Sequence, residues 1–185
     1  MVTITALWLP ILLSAVFVFI VSSVIHMVLQ YHKSDFDKLP DEDGIAEAFR
    51  KAGAAPGNYH IPHCAKMSEM NSEATQEKFK RGPVGFIMLL PSGPPAMGKA
   101  LAGWFVFTLF VGVVVAYVVT RTLDASTDYL TVFRVAGTVA FLTYAGSEPV
   151  RSIWGGVRWR NTIKNMMDGL IYALVTAGTF GWLWG

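Results

Sequence analysis

The chain has 185 residues, of which 53% are hydrophobic and only 15% charged, and its mean hydropathy is +0.44. A soluble globular chain carries about 25% charged residues, so this composition excludes an ordinary soluble domain. The net charge of +2 is too small for a nucleic-acid binder, and a single cysteine, Cys64, excludes an intramolecular disulfide framework.

Met1–Leu29 comes first. Ile4–Leu29 contains no Lys, Arg, Asp or Glu. No basic residue precedes it, and it exceeds the ~7–15 apolar residues of a secretory signal, so it reads as a retained transmembrane helix. Bilayer hydrocarbon is ~30 Å thick and a helix rises ~1.5 Å per residue. A segment this long therefore has to tilt or run into the headgroups. Pro10 is expected to kink it.

Residues 30–99 form the one sizeable polar region, with nine Lys/Arg balanced by nine Asp/Glu. Two short helices are predicted here. One runs from the N-cap Asp41 to Gly53, with Asp and Glu in its first turn and Arg50 and Lys51 near its end. The other spans Glu73–Arg81, with Ser72 as cap and Gly82 as stop. Pro56–Met70 between them has no clear periodicity. Gly82–Gly98 is fenced by Pro and Gly, and its apolar run Phe86–Leu90 is too short to span. It reads as a strand-like or irregular segment at the membrane surface, the alternative being a re-entrant loop lining a path.

Residues 100–185 form a block of three apolar helices, at about 100–120, 129–147 and 166–184. The fold class that results is an all-α membrane protein: four transmembrane helices with a polar insert between the first and second. Arg134, in the third helix, lies near its start, where a long side chain reaches the interface. It reads as an anchor paired with Asp124 or Asp128, or as a charge in a substrate path. The connector 148–164 combines Arg151, Arg158, Arg160 and Lys164 with Trp154 and Trp159, the composition of a headgroup-level segment.

The charges set an orientation. Loops one and three hold nine and four Lys/Arg, against one in loop two. The positive-inside rule then places 30–99 and 148–164 in the cytoplasm and both termini outside, with the cell inner membrane as the simplest host.

Several residues invite chemistry. Gly169, Ala173, Ala177 and Gly181 recur every four residues, a groove that admits another helix from the same bundle, a protein partner or a second copy. His60, His63 and Cys64 lie, with Met67 and Met70, within the richest ligand segment; imidazole and thiolate suit zinc, and thioether with thiolate suits copper(I). His26, at the cytoplasmic end of helix one, is a proton carrier or pathway residue. With no facing His deep in another helix, it does not suggest haem. Asp168, beside Lys164 where helix four opens, reads as structural. No Walker loop, Gly-x-Ser-x-Gly, His-Glu-x-x-His or dinucleotide fingerprint occurs. No catalytic residue and no cofactor is therefore expected, beyond a metal ion at His60, His63 and Cys64. The functions that follow are an accessory subunit of a membrane complex, then a small-solute or ion transporter using His26 and Arg134, then a metal-binding or redox protein. The lipid bilayer is the implied partner.

Overall fold

The computed structural model describes residues 2–184, which form two units: 2–36 with 96–184, and 37–95. The first unit is helical. Its α1 (Trp8–Ser23) is preceded by a 3₁₀ turn, Ile4–Leu7, capped by the Thr3 hydroxyl, which accepts from Ala6 N at 3.3 Å. Pro10 falls in the first turn of α1, where no helical N–H has a partner to lose. The irregularity expected at Pro10 thus takes the form of a 3₁₀ turn ahead of it. After Ser23 the backbone widens into a π-helical turn, Val24–Leu29, and stops at Gln30 in the left-handed region, φ 52°.

The remaining helices of this unit are α4 (Met97–Thr122), α5 (Tyr129–Ala145), α6 (Glu148–Ile153) and α7 (Trp159–Trp182). Three helical stretches are long and apolar enough to cross a membrane: Ile4–Leu29, Met97–Thr122 and Tyr129–Ile153. The expected fourth span, 166–184, falls short of that standard. α7 is 24 residues long, but Arg160, Lys164 and Asp168 occupy its first half. It also starts well before residue 166, so part of the expected connector 148–164 is helical.

The core is built from small and β-branched residues at helical spacing. Val111, Val115 and Val119 of α4, Val132, Ala136 and Ala140 of α5, and Ala177 and Phe180 of α7 are completely buried. Bare backbone lets these helices approach. A Cβ on Gly112 would stand 3.3 Å from the Ile11 carbonyl oxygen. One on Gly169 would meet the Ala145 Cβ at 2.8 Å, and one on Gly181 the Tyr129 ring at 2.8 Å. Gly137 likewise lies 3.2 Å from the Ala177 Cβ by the same measure. α5 and α7 are therefore antiparallel neighbours from end to end. Buried hydroxyls bond within their own helix: Ser14 donates to Ile11 O, Thr108 to Phe105 O and Thr176 to Tyr172 O.

The second unit contains α2 (Glu42–Lys51) and α3 (Glu73–Arg81), capped by the side chains of Asp41 and Ser72. It also holds a two-stranded antiparallel sheet of β1 (Gly57–Ile61) and β2 (Gly85–Leu89), with Tyr59 opposite Ile87. The apolar run in Gly82–Gly98 is thus a strand with a partner. The fold is mostly helical, with this one small departure from all-α.

Candidate functional site

Inside the first unit, α1, α4, α5 and α7 leave a cavity of about 410 Å³. Trp104, Phe107, Tyr144 and Tyr172 form much of its wall, and Met27, Met97, Ala100 and Leu101 form an exposed rim. The aromatic side chains interlock: the Trp104 ring lies 5.7 Å from Tyr172, and Tyr144 lies 5.6 Å from Tyr172, both edge-on. Trp104 Nε1 donates to Ser22 Oγ at 2.9 Å and ties α4 to α1. One end of the cavity is polar and presents His26, Glu148, Asn165 and Asp168. Glu148 is held there by Asn165 Nδ2 at 2.8 Å and Arg151 at 3.2 Å.

Local backbone geometry builds that polar end. The π turn and the left-handed Gln30 bring the chain round so that a 3₁₀ turn, Tyr31–Asp35, follows at once. A non-glycine residue in the left-handed region is costly, by roughly 1–2 kcal/mol, and π turns cluster at functional sites. The result is that His26 and His32 stack, with ring centroids 4.8 Å apart and planes 9° from parallel. His32 then bridges two carboxylates. Its Nδ1 faces Asp35 Oδ2 at 2.5 Å and its Nε2 faces Asp168 Oδ2 at 2.7 Å. A neutral imidazole has one N–H, so both bonds form only if the ring is an imidazolium or one carboxyl carries a proton.

Lys164, one turn before Asp168 on α7, pins the 3₁₀ turn. Its Nζ donates to Tyr31 O at 2.9 Å, Ser34 Oγ at 2.9 Å and Asp35 Oδ1 at 2.5 Å. Burial pushes the Asp35 carboxyl up, but hydrogen bonds from Lys164 and His32 outweigh it and hold the group below its ordinary value. Asn161 adds a bond to the Asp35 carbonyl at 3.0 Å.

Among the described residues three buried polar atoms, all on α7, have no hydrogen-bond partner: Asn161 Oδ1 beside Asp35, and, on the two residues that line the cavity, Asp168 Oδ1 and, one turn further along, the Tyr172 hydroxyl. Asp168 as a whole is only 3% exposed. Buried polar atoms are normally paired, so the two on the cavity wall are free to take a hydrogen bond from whatever occupies it. His26, His32 and Asp168 each offer one ligand atom, and these atoms lie within 4.8 Å of one another.

The structure puts the residues singled out in the sequence in different places. His26 lines the cavity. Arg134 is exposed on α5 and takes no part in the cavity wall. Gly169, Ala173, Ala177 and Gly181 are buried, and three of them meet α5 of the same chain. His60 lies in β1, where its ring packs on Phe86 at 4.6 Å, while His63 and Cys64 follow the strand. Among the described residues, His60, His63 and Cys64 do not gather as a ligand set; His26, His32 and Asp168 do. From the sequence, Asp168 reads as structural, and His32, Asp35 and Tyr172 are not singled out. The signal available was Asp168 itself, an acid inside an otherwise apolar run, which marks a functional position in its own right.

Compared with known families, curated proteins and solved structures, the chain matches none. What its fold and site define is a mostly helical protein with membrane-spanning capacity and a polar cluster closing an apolar cavity.

Proposed function

We propose that this chain is a four-span protein of the cell inner membrane, with both termini outside, and that its cavity binds a small amphiphile end-on. The fourth span is supported by packing. α7 lies along α5 from Gly169–Ala145 to Gly181–Tyr129, so if α5 crosses the bilayer, α7 crosses with it. The carboxylate and ammonium groups in its first half are covered by the Tyr31–Asp35 turn, which lowers the penalty that their charges impose on insertion. The Lys/Arg distribution supports the orientation.

A single observation carries the binding role: an aromatic-walled cavity whose far end holds two buried polar atoms with no partner. Apolar pockets of ~300–1,000 Å³ with a few convergent polar groups are where small ligands bind. The rim of Met27, Met97 and Leu101 suits an alkyl chain, since Met adapts to irregular shapes. The polar end is rich in acceptors: the Asp168 carboxylate, Glu148 and the outward nitrogen of His26. It suits an uncharged or cationic head that donates hydrogen bonds, and a carboxylate head would face like charge.

The test uses detergent-solubilised protein treated with EDTA, titrated with dodecylamine, 1-dodecanol and dodecanoate while tryptophan emission is followed. Amine and alcohol are expected to saturate the signal, dodecanoate to bind at least about tenfold more weakly, and Trp104→Phe to remove most of the change. Equal and unsaturable responses to all three would remove the reading. Reporter fusions after Lys51 and at the C-terminal end test the spans and should report opposite sides of the membrane.

A further inference from the structure

The polar end has the parts of a metal centre. His26 Nδ1 lies 3.0 Å from the carbonyl oxygen of Ser22. A carbonyl only accepts, so Nδ1 carries the proton and Nε2 presents a lone pair. His32 has the same arrangement with a carboxylate: its Nδ1 proton is held by Asp35, which is itself held by Lys164. Ligating histidines regularly donate their second nitrogen to a backbone carbonyl or a carboxylate, which fixes the tautomer and aims the ring. Here both histidines are fixed in that way, by two different partners. The third donor, Asp168, is buried and keeps Oδ1 unpaired. A stripe of surface histidines would show none of these supports.

The spacing is also compatible. Donors around one ion at ~2.0–2.2 Å stand roughly 3–4 Å apart. The ligand atoms of the set all lie within 4.8 Å of one another. The His32–Asp168 contact, at 2.7 Å, is a hydrogen bond through a proton. An ion would take the place of that proton, which leaves to solvent. The two donors then open by less than an ångström, and because the two rings stack 9° from parallel, the His26 ring has to turn out of the stack for Nε2 to reach the same ion.

We propose that His26 Nε2, His32 Nε2 and the Asp168 carboxylate hold one divalent transition-metal ion, zinc(II) or iron(II), with an open coordination position facing the cavity. Two imidazoles and one carboxylate with a free position are the donor set that these two ions take in reactive sites. Lys164 stays outside the ligand set, on Asp35, and Glu148 shares the cavity without belonging to it. The proposal does not rest on the amphiphile, because the ligands and their supports lie within the chain.

The decisive measurement is metal content and cobalt(II) spectroscopy on full-length protein purified through a tag that contains no histidine. Elemental analysis should give about one zinc or iron per chain, the identity of the ion separating the two candidates. After chelation, added cobalt(II) should produce saturable d–d bands. His26→Ala and Asp168→Ala should reduce both signals to background. Asp35→Asn, which leaves all three ligands in place, should weaken cobalt binding about 10–100-fold. His63→Ala and Cys64→Ser should change neither signal. Wild-type protein that melts cooperatively yet binds no cobalt overturns the proposal, whatever the variants do. So does binding that survives His26→Ala and Asp168→Ala, or that disappears with Cys64→Ser. Amphiphile binding is measured in EDTA, so either reading can fail without the other.

Discussion

Two halves of the helical unit are built on opposite terms. Along α5 and α7, small residues let the backbones touch: Gly169 on Ala145, Gly137 on Ala177, Gly181 on Tyr129. The threonine hydroxyls of α7 there bond to their own helix. Between α1, α4 and the start of α7, large aromatic residues hold the helices apart, a cavity remains, and buried polar atoms go without partners. In a bilayer helices gain little from hydrophobic sorting, and tight packing of small residues supplies much of the cohesion. The sealed half can therefore carry the cohesion, which leaves the open half free to keep unsatisfied groups for a ligand.

That contrast breaks most sharply at Gly169. Its absent side chain would fall 2.8 Å from the Ala145 Cβ and 3.3 Å from the Ala145 backbone nitrogen. Gly169→Leu forces α5 and α7 apart, at about 3 kcal/mol or more. Thermal melts in detergent should show it as the largest loss among the variants considered, and a melt like wild type would mean that α7 does not seal on α5. Lys164→Met comes next. It strands the Asp35 carboxylate, whose side chain is 10% exposed. Breaking a buried pair costs roughly 3–5 kcal/mol, and the remaining exposure reduces that to about 2 kcal/mol. Adding Asp35→Asn should restore most of it. A double variant as unstable as Lys164→Met would show that the lysine acts through Tyr31 and Ser34 instead. Third is Trp104→Phe, which removes the 2.9 Å bond to Ser22 and should cost about 1 kcal/mol.

The sealed half was the legible one. Apolar length marked Ile4–Leu29 and the two spans after it, and the four-residue recurrence of Gly169, Ala173, Ala177 and Gly181 is visible in the sequence because helix packing is local and periodic. The caps at Asp41, Ser72 and Gly82 follow from residue type. The open half was not legible, for two physical reasons. His32 and Asp168 meet only after a π turn and a left-handed Gln30 redirect the chain, and neither feature has a periodicity to read. Adjacent ligand types, as at His60–Cys64, attract notice in a sequence. Yet nearness in sequence is not convergence in space, and among the described residues His60, His63 and Cys64 do not gather as a ligand set. Lys164 and Asp168 of α7 are paired with the Tyr31–Asp35 turn, and a hydropathy average does not register such pairing.

The weakest handle on the contrast is the cap of α5. Asp128 accepts from the Thr131 hydroxyl at 2.6 Å and from Thr131 N at 3.2 Å. These bonds favour the charged form, and they hold the carboxyl below its ordinary value of 3.8. A group with a depressed folded pKa stabilises fully above its unfolded value and loses that contribution as pH falls through the folded one. Near neutral pH, Asp128→Asn should therefore cost little, since asparagine also caps well. The variant should instead flatten the loss of stability that the wild type shows below about pH 4. The comparison of melts at pH 7 and pH 3 checks this. Equal acid sensitivity in both proteins would place the acid-labile carboxylate elsewhere. The first suspect would then be Asp35, held below its ordinary value by Lys164 and His32, and the sealed half would have no part in the acid response.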